Sequence, residues 1–262
     1  MKPDADQDWN PGAYGRFRGL RLRPALDLLA QVPDLPAGDV VDLGCGSGAA
    51  GPALRARFPG RRLIGLDASP AMLEAARQVS YDRLLEADIA TWRAEVPPAL
   101  IFSNAALHWL DEHATLRPAL AGQLVPGGVL AVQMPGNFLA PSHALLREIA
   151  AGFCPEMQPQ RPYLPPVLDV AEYCRMLAPL GMVEGWETTY CHRLAPSDGS
   201  AHPVRSFTQS TAMRPFLTRL EETGAEAFTR EYDAALDLAY PREADGSVLF
   251  PFRRVFVLFE RG

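Results

Sequence analysis

Three glycines, Gly44, Gly46 and Gly48, stand just past the apolar run 39–43 and just before a helical pattern that begins near Ala49. Glycine lets a backbone turn sharply and lets a ligand approach where a Cβ would block it. The helix that follows offers unpaired N–H groups and a partial positive charge. Asp42 precedes the first glycine by two positions, where it can orient the loop. Roughly twenty residues on, Asp67 ends a second apolar run, and a carboxylate there can accept from both hydroxyls of a ribose. A third acid, Asp88, follows Leu85-Glu86-Ala87 with Ile89 beside it. That pair suits an adenine, the acid accepting from the amino group and Ile89 lying against the ring. Together these residue types describe a site for a nucleoside-bearing ligand.

The glycines alone leave two ligands open. Gly44, Gly46 and Ala49 also satisfy the spacing of a dinucleotide site, in which Asp67 would hold the ribose of NAD. Each acid also has a plain structural role. Asp42 or Asp67 could cap a helix, the latter the helix opening at Ser69-Pro70, and Asp88 could sit in a turn. One ligand, however, accounts for all three at once. Two further segments complete an ordered series: Asn104-Ala105-Ala106-Leu107-His108-Trp109 after a fourth apolar run, and Leu124-Val125-Pro126-Gly127-Gly128-Val129-Leu130 before a fifth. The series resembles the class I methyltransferases. The resemblance implies S-adenosyl-L-methionine as cofactor, with Asp42, Gly44, Cys45 and Gly46 around its methionine end. Asp67, Ala68 and Met72 would then lie at the ribose, and Asp88, Ile89, Asn104 and Ala105 along the adenosine. Trp9, Tyr14 and Arg23, in the N-terminal segment, would fold over it.

The elements that must position these groups alternate. Apolar runs at 39–43, 62–66, 83–87 and 100–103, and a run ending at Met134, read as strands. Helical patterns at 49–58, 70–78 and 114–124 lie between them, which predicts a parallel sheet with helices on both faces. Pro at the first helical position, as at Pro70, is favoured because its missing N–H had no partner there. Beyond Pro135 the pattern changes. Helices are predicted at 142–151 and 169–180, a Pro-rich loop at 153–167, and a strand at 183–194. Two or more amphipathic helices fill 203–240, one centred on Phe216 and one on 228–238, and a closing strand is predicted at 253–259. The expected fold is α/β, Rossmann-like, with a seven-stranded mostly parallel sheet and a C-terminal helical insertion forming a lid. It divides into N-terminal cap helices over 1–35, a cofactor-binding core over 36–135, and the remaining strands with a substrate-covering lid over 136–262.

Beyond the fold, Asp8-Trp9-Asn10-Pro11 with Tyr14, the segment 104–110, and Val129-Leu130-Ala131-Val132-Gln133-Met134-Pro135 resemble the trans-aconitate 2-methyltransferase family. Thr188-Thr189-Tyr190 with His192, and Met213-Arg214-Pro215 with Phe216 and Leu217, extend the likeness along the chain. It implies esterification of one carboxylate of a small polycarboxylic acid. A carboxylate near its ordinary pKa is already ionised at neutral pH and needs no general base to attack a methyl sulfonium. Holding the reactants in line is then the main task, with His108 as a positioning group beside the methyl. If the nucleophile were a hydroxyl or amine, His108 would be the first candidate base. Carboxylates that do not react need cations or donors, and Arg can grip one with two parallel hydrogen bonds. Arg214, Arg193 and His192 are the candidates, joined by Trp109, Gln133 and Tyr190. The chain departs from the family pattern at Gly136-Asn137-Phe138, where an acid and a Trp are expected, at Cys191, and through 153–167.

Composition narrows the classes. The chain has 262 residues, 48% of them hydrophobic, enough to bury a sizeable core. Its formal net charge of −6, with Lys2 as its lone lysine and no basic block, argues against a nucleic-acid partner. Cys45, Cys154, Cys174 and Cys191 are scattered, suggesting reduced thiols and neither a disulfide framework nor a metal site. The acidic residues 1–10 are unlike a signal peptide, and no stretch is long and apolar enough to span a membrane. A cytoplasmic, monomeric enzyme with a small-molecule partner is the expectation. The readings it competes with are a methyltransferase for another small acid or a carrier-bound malonyl group, an NAD-dependent oxidoreductase, and a non-catalytic S-adenosylmethionine-binding protein.

Overall fold

Strand β1 (Val40–Leu43) is buried along its whole length because it lies between two strands and under helices on both faces. A computed structural model describes residues 18–79, 81–153, 166–197, 201–209, 211–220 and 222–262. In chain order, the elements through the first half are α1 (Arg18–Gln31), β1, α2 (Gly51–Arg57), β2 (Leu63–Asp67), α3 (Pro70–Ala76), β3 (Arg83–Glu86) and β4 (Leu100–Asn104). A one-turn 3-10 helix (Leu107–Trp109) leads to α4 (His113–Ala121) and β5 (Val129–Pro135). Next come α5 (Pro141–Phe153), α6 (Val170–Leu177), β6 (Gly181–Leu194), α7 (Pro203–Thr208), α8 (Arg214–Leu217), α9 (Glu222–Ala239) and β7 (Val248–Arg261).

The seven strands form one sheet in the order β3-β2-β1-β4-β5-β7-β6. The pairs from β3 through β5 are parallel, and β7 runs antiparallel to β5. The order reverses between β1 and β4, and in such sheets the crevice at the strands' carboxyl ends is where ligands bind. The loops after β1 and β4 both open there.

The chain divides into two compact units. The first comprises 1–135, 166–188 and 254–262; the second comprises 136–165 and 189–253. The boundaries fall inside β6 and β7. The helical insertion is therefore built from two segments, one before β6 and one between β6 and β7. In the first unit, Leu130, Val132 and Met134 of β5 pack with Val255, Val257 and Phe259 of β7, and with Tyr173 and Leu177 of α6. The second unit holds an aromatic core of Phe207, Tyr240, Phe250 and Phe252. There Tyr232 of α9 donates to the Ser142 carbonyl of α5 at 2.7 Å, and the Ser142 N–H donates to Tyr240 at 3.1 Å. The helix expected around Phe216 is only four residues long (α8, Arg214–Leu217). β7 starts at Val248, five residues before its expected start.

Candidate functional site

The glycine loop is tied to the end of β2 by consecutive backbone donors. The N–H groups of Gly44 and Cys45 both donate to the Leu66 carbonyl, at 2.8 and 2.9 Å. The next one, from Gly46, donates to Asp67 Oδ2 at 2.8 Å, and Ser69 N–H donates to Oδ1 at 2.9 Å. Asp67 is thus aimed by two backbone groups, one on each carboxylate oxygen. Gly44 has a left-handed φ of 75°, and a Cβ there would lie 2.2 Å from that of Ala106 and 3.4 Å from Ile89 Cδ1. The loops after β1 and β4 and the residue after Asp88 therefore converge on one glycine. Ala68 is exposed, whereas Met72 is buried in the first turn of α3, which Ser69 caps by accepting from the Met72 N–H. Asp88 Oδ1 accepts from Ala90 N–H, forming the turn that carries Ile89.

Asp42 is 2% exposed and accepts a 2.6 Å hydrogen bond from the Tyr81 hydroxyl. Burial pushes its pKa up to about 7, and the Asp67 charge adds to the effect; the Tyr81 bond opposes it. The same burial raises the Cys45 thiol and the Tyr81 phenol. Tyr81 is a residue the sequence reading missed. It reaches Asp42 because Gly48, Gly51 and Gly65 all lack a Cβ along its path: at each, one would lie within about 3.1 Å of the Tyr81 ring. Its neighbour Asp82 fixes the backbone there by accepting from Leu63 N–H and from Arg55, which holds the Asp82 carboxyl below its usual range. Three separate glycines were the available signal, but nothing local tied them to Tyr81.

Across the β4–β5 pair, Asn104 and Gln133 are register partners. Gln133 is fully buried, and neither atom of its amide has a hydrogen-bond partner among the described residues; the same holds for Asn104 Oδ1. Buried amides of this kind are costly unless something polar meets them. Orphaned acceptors and donors at the carboxyl ends of β4 and β5, beside a glycine cradle and an oriented carboxylate, fit the amino-acid and ribose groups of S-adenosylmethionine and a polar substrate. Ala105 follows at a left-handed φ of 55°, and its N–H donates to the Gln133 carbonyl. The rings of His108 and Trp109 lie 4.6 Å apart between centroids, tilted by 41°. No group of described residues is arranged to hold a metal ion. A pocket of about 210 Å³ is lined by Asp39, Arg62, Arg83, Glu86 and Trp92 among others, and by no residue of the glycine loop.

Trp9 and Tyr14 lie outside the described residues, and Arg23 is an exposed residue of α1 whose guanidinium is 3.9 Å from Asp27. In the second unit, Tyr190 and His192 are buried on one face of β6, with His192 stacked near Phe207 and beside Phe252. Arg193 alternates to the other face, is exposed, and pairs with Asp245 at 2.9 Å. The strand's period of two thus separates Arg193 from His192, which the sequence reading grouped together. Arg214 opens α8 and is half-buried.

A doubly wound sheet with this strand order and this loop defines a class I methyltransferase fold. A family model described as "Methyltransferase domain" matches residues 40–128. Among solved structures, the YcgJ protein of Bacillus subtilis aligns with 91% of this chain and 98% of its own at a TM-score of 0.56 and 14% identity. Phosphoethanolamine N-methyltransferase 2 of Haemonchus contortus, in complex with S-adenosyl-L-methionine, aligns with 92% of this chain and 53% of its own at 0.53 and 16% identity. Curated relatives reach much further. A trans-aconitate 2-methyltransferase of Methylobacterium radiotolerans is 44% identical over 257 residues, covering 96% of this chain and 97% of the relative. Those of Paracidovorax citrulli and Yersinia pestis are 40% and 41% identical over 97% and 96% of this chain. The chain belongs to the trans-aconitate 2-methyltransferase family.

Proposed function

We propose that this protein transfers the methyl group of S-adenosyl-L-methionine to a carboxylate oxygen of trans-aconitate. The observation that carries the reading is near-full-length similarity to enzymes of that name, with the cofactor cradle intact: the Gly44–Gly46 loop, Asp67 and buried Asp42. Bound S-adenosylmethionine supplies a methyl on a cationic sulfonium; the substrate oxygen forms the new bond as the sulfur–carbon pair returns to sulfur. The chain's own contribution is position. Asp67 takes the ribose hydroxyls, Ile89 lies on the adenine, and Gly44 lets the methionine end approach the backbone. Gln133 offers an amide to a polar substrate group, and His108 and Trp109 border the transfer site. Arg214 is assigned to a carboxylate that does not react. No residue is asked to remove a proton, because the nucleophile is already ionised.

The test is transfer of a labelled methyl to trans-aconitate, cis-aconitate, isocitrate and citrate by the wild type and by Arg214→Ala. Efficient labelling of trans-aconitate, with the variant's KM raised at least about tenfold for a lost charged hydrogen bond, is the expected outcome. Cofactor binding without labelling of any tricarboxylate would overturn the substrate assignment.

A further inference from the structure

Behind the 3-10 turn that bears His108 and Trp109 lies a closed chain of buried hydrogen bonds that methyl transfer itself does not touch. The Leu168 N–H donates to the Tyr173 oxygen at 2.9 Å. That hydroxyl lies 2.8 Å from His113 Nδ1, and His113 Nε2 lies 2.8 Å from the Leu107 carbonyl. A carbonyl can only accept, so Nε2 carries the proton; Nδ1 of the neutral ring then accepts from Tyr173. Every proton in the chain is thereby assigned. Tyr173 and Leu107 are fully buried and His113 is 7% exposed.

The charge environment keeps this arrangement in one state. Arg117 is fully buried with its guanidinium 3.9 Å over the Tyr173 ring, and no carboxylate pairs with it among the described residues. Burial and that nearby cation both lower the pKa of His113, which favours the neutral ring.

The segment being held is under strain. Ala105 and Glu112, at its two ends, both have left-handed φ values, of 55° and 58°, and the 3-10 turn between them has no side-chain cap. Such residues cost on the order of 1–2 kcal/mol each and persist only where the surroundings over-determine them. The Leu107 carbonyl is the fixed point: it accepts from Leu110 N–H within the turn and from His113 outside it.

We propose that Tyr173 and His113 are positioning residues for methyl transfer, acting through the Leu107 carbonyl to hold the strained 105–112 segment and the His108-Trp109 pair it carries. The kinetic half of this inference rests on the methyl-transfer reading above; the structural half does not. Tyr173→Phe deletes one hydroxyl and keeps the ring beneath Arg117. The expected result is faster backbone hydrogen exchange in 104–110, with and without S-adenosylhomocysteine. In parallel, kcat should fall about tenfold with KM for the acid little changed, since geometry and not uniform binding is lost. His113→Gln keeps a donor for the Leu107 carbonyl and should recover more of kcat and of the exchange protection than His113→Leu. If Tyr173→Phe fails to fold, the histidine pair decides the matter alone. Unchanged exchange across 104–110, or equal behaviour of the Gln and Leu variants, would overturn the proposal. A wild type that methylates no small acid would instead remove the substrate reading and leave the exchange result to decide this one.

Discussion

Asp42 couples the cofactor loop to pH. Its folded pKa of about 7 lies above the ordinary aspartate value of 3.8, so the folded state holds the proton more tightly than the unfolded chain. The favourable contribution is complete below the unfolded pKa and is lost as pH rises through the folded one. Over that window the raised pKa costs on the order of 4 kcal/mol of stability. Asp42→Asn keeps an acceptor for Tyr81 and removes the titration. Urea unfolding at pH 5 and pH 8 should show the variant gaining relative to wild type at the higher pH; an equal gap at both would contradict it. Asp67 makes a separate prediction. Asp67→Asn retains one acceptor oxygen and loses the charge, and calorimetry with S-adenosylhomocysteine should show binding weakened about tenfold or more.

At the scale of elements, the loops after β1 and β4 meet without a side chain between them. Gly44→Ala carries two penalties, a left-handed φ and a Cβ placed 2.2 Å from that of Ala106. Gly60 has a nearly equal φ of 79° with nothing within 4 Å of its would-be Cβ. Gly60→Ala should therefore cost only about 1 kcal/mol, the conformational part. Gly44→Ala should cost at least 1 kcal/mol more and abolish cofactor binding, because the β4 loop must move. Thermal melts of the two variants, with and without S-adenosylhomocysteine, make the comparison. Equal melting temperatures would mean the loops can separate freely.

At the scale of the whole molecule, β7 covers an edge that the preceding strands leave open. Its Val255, Val257 and Phe259 are buried, and its register runs along β5 from Val129 to Pro135. A chain ending at Pro135 would contain the whole glycine loop and all five parallel strands, yet expose an apolar β5 edge of seven residues. Open edges of this type pair with other chains. The fragment should form aggregates or higher oligomers, measured by light scattering, and bind S-adenosylhomocysteine poorly. A monomeric, binding-competent fragment would show that β6 and β7 are dispensable to the core.

What the sequence alone determined is what local spacing encodes. Gly44, Gly46 and Asp67 were legible because a turn and a strand end impose residue types within a few positions. β1, β2, β4 and β5 were legible because strands buried on both faces are continuously apolar. The segments resembling the family were legible as linear motifs. Tertiary structure alone decided which distant groups meet. Tyr81 reaches Asp42 across 39 positions, and Tyr173 reaches His113 across 60. It also decided that Arg193 turns away from His192 and that the insertion is assembled from two separate segments. Periodicity reports one element's inward face, while strand order and the packing of helices against the sheet choose what that face meets; those choices are fixed by burying the whole core at once, not by any one stretch of residues.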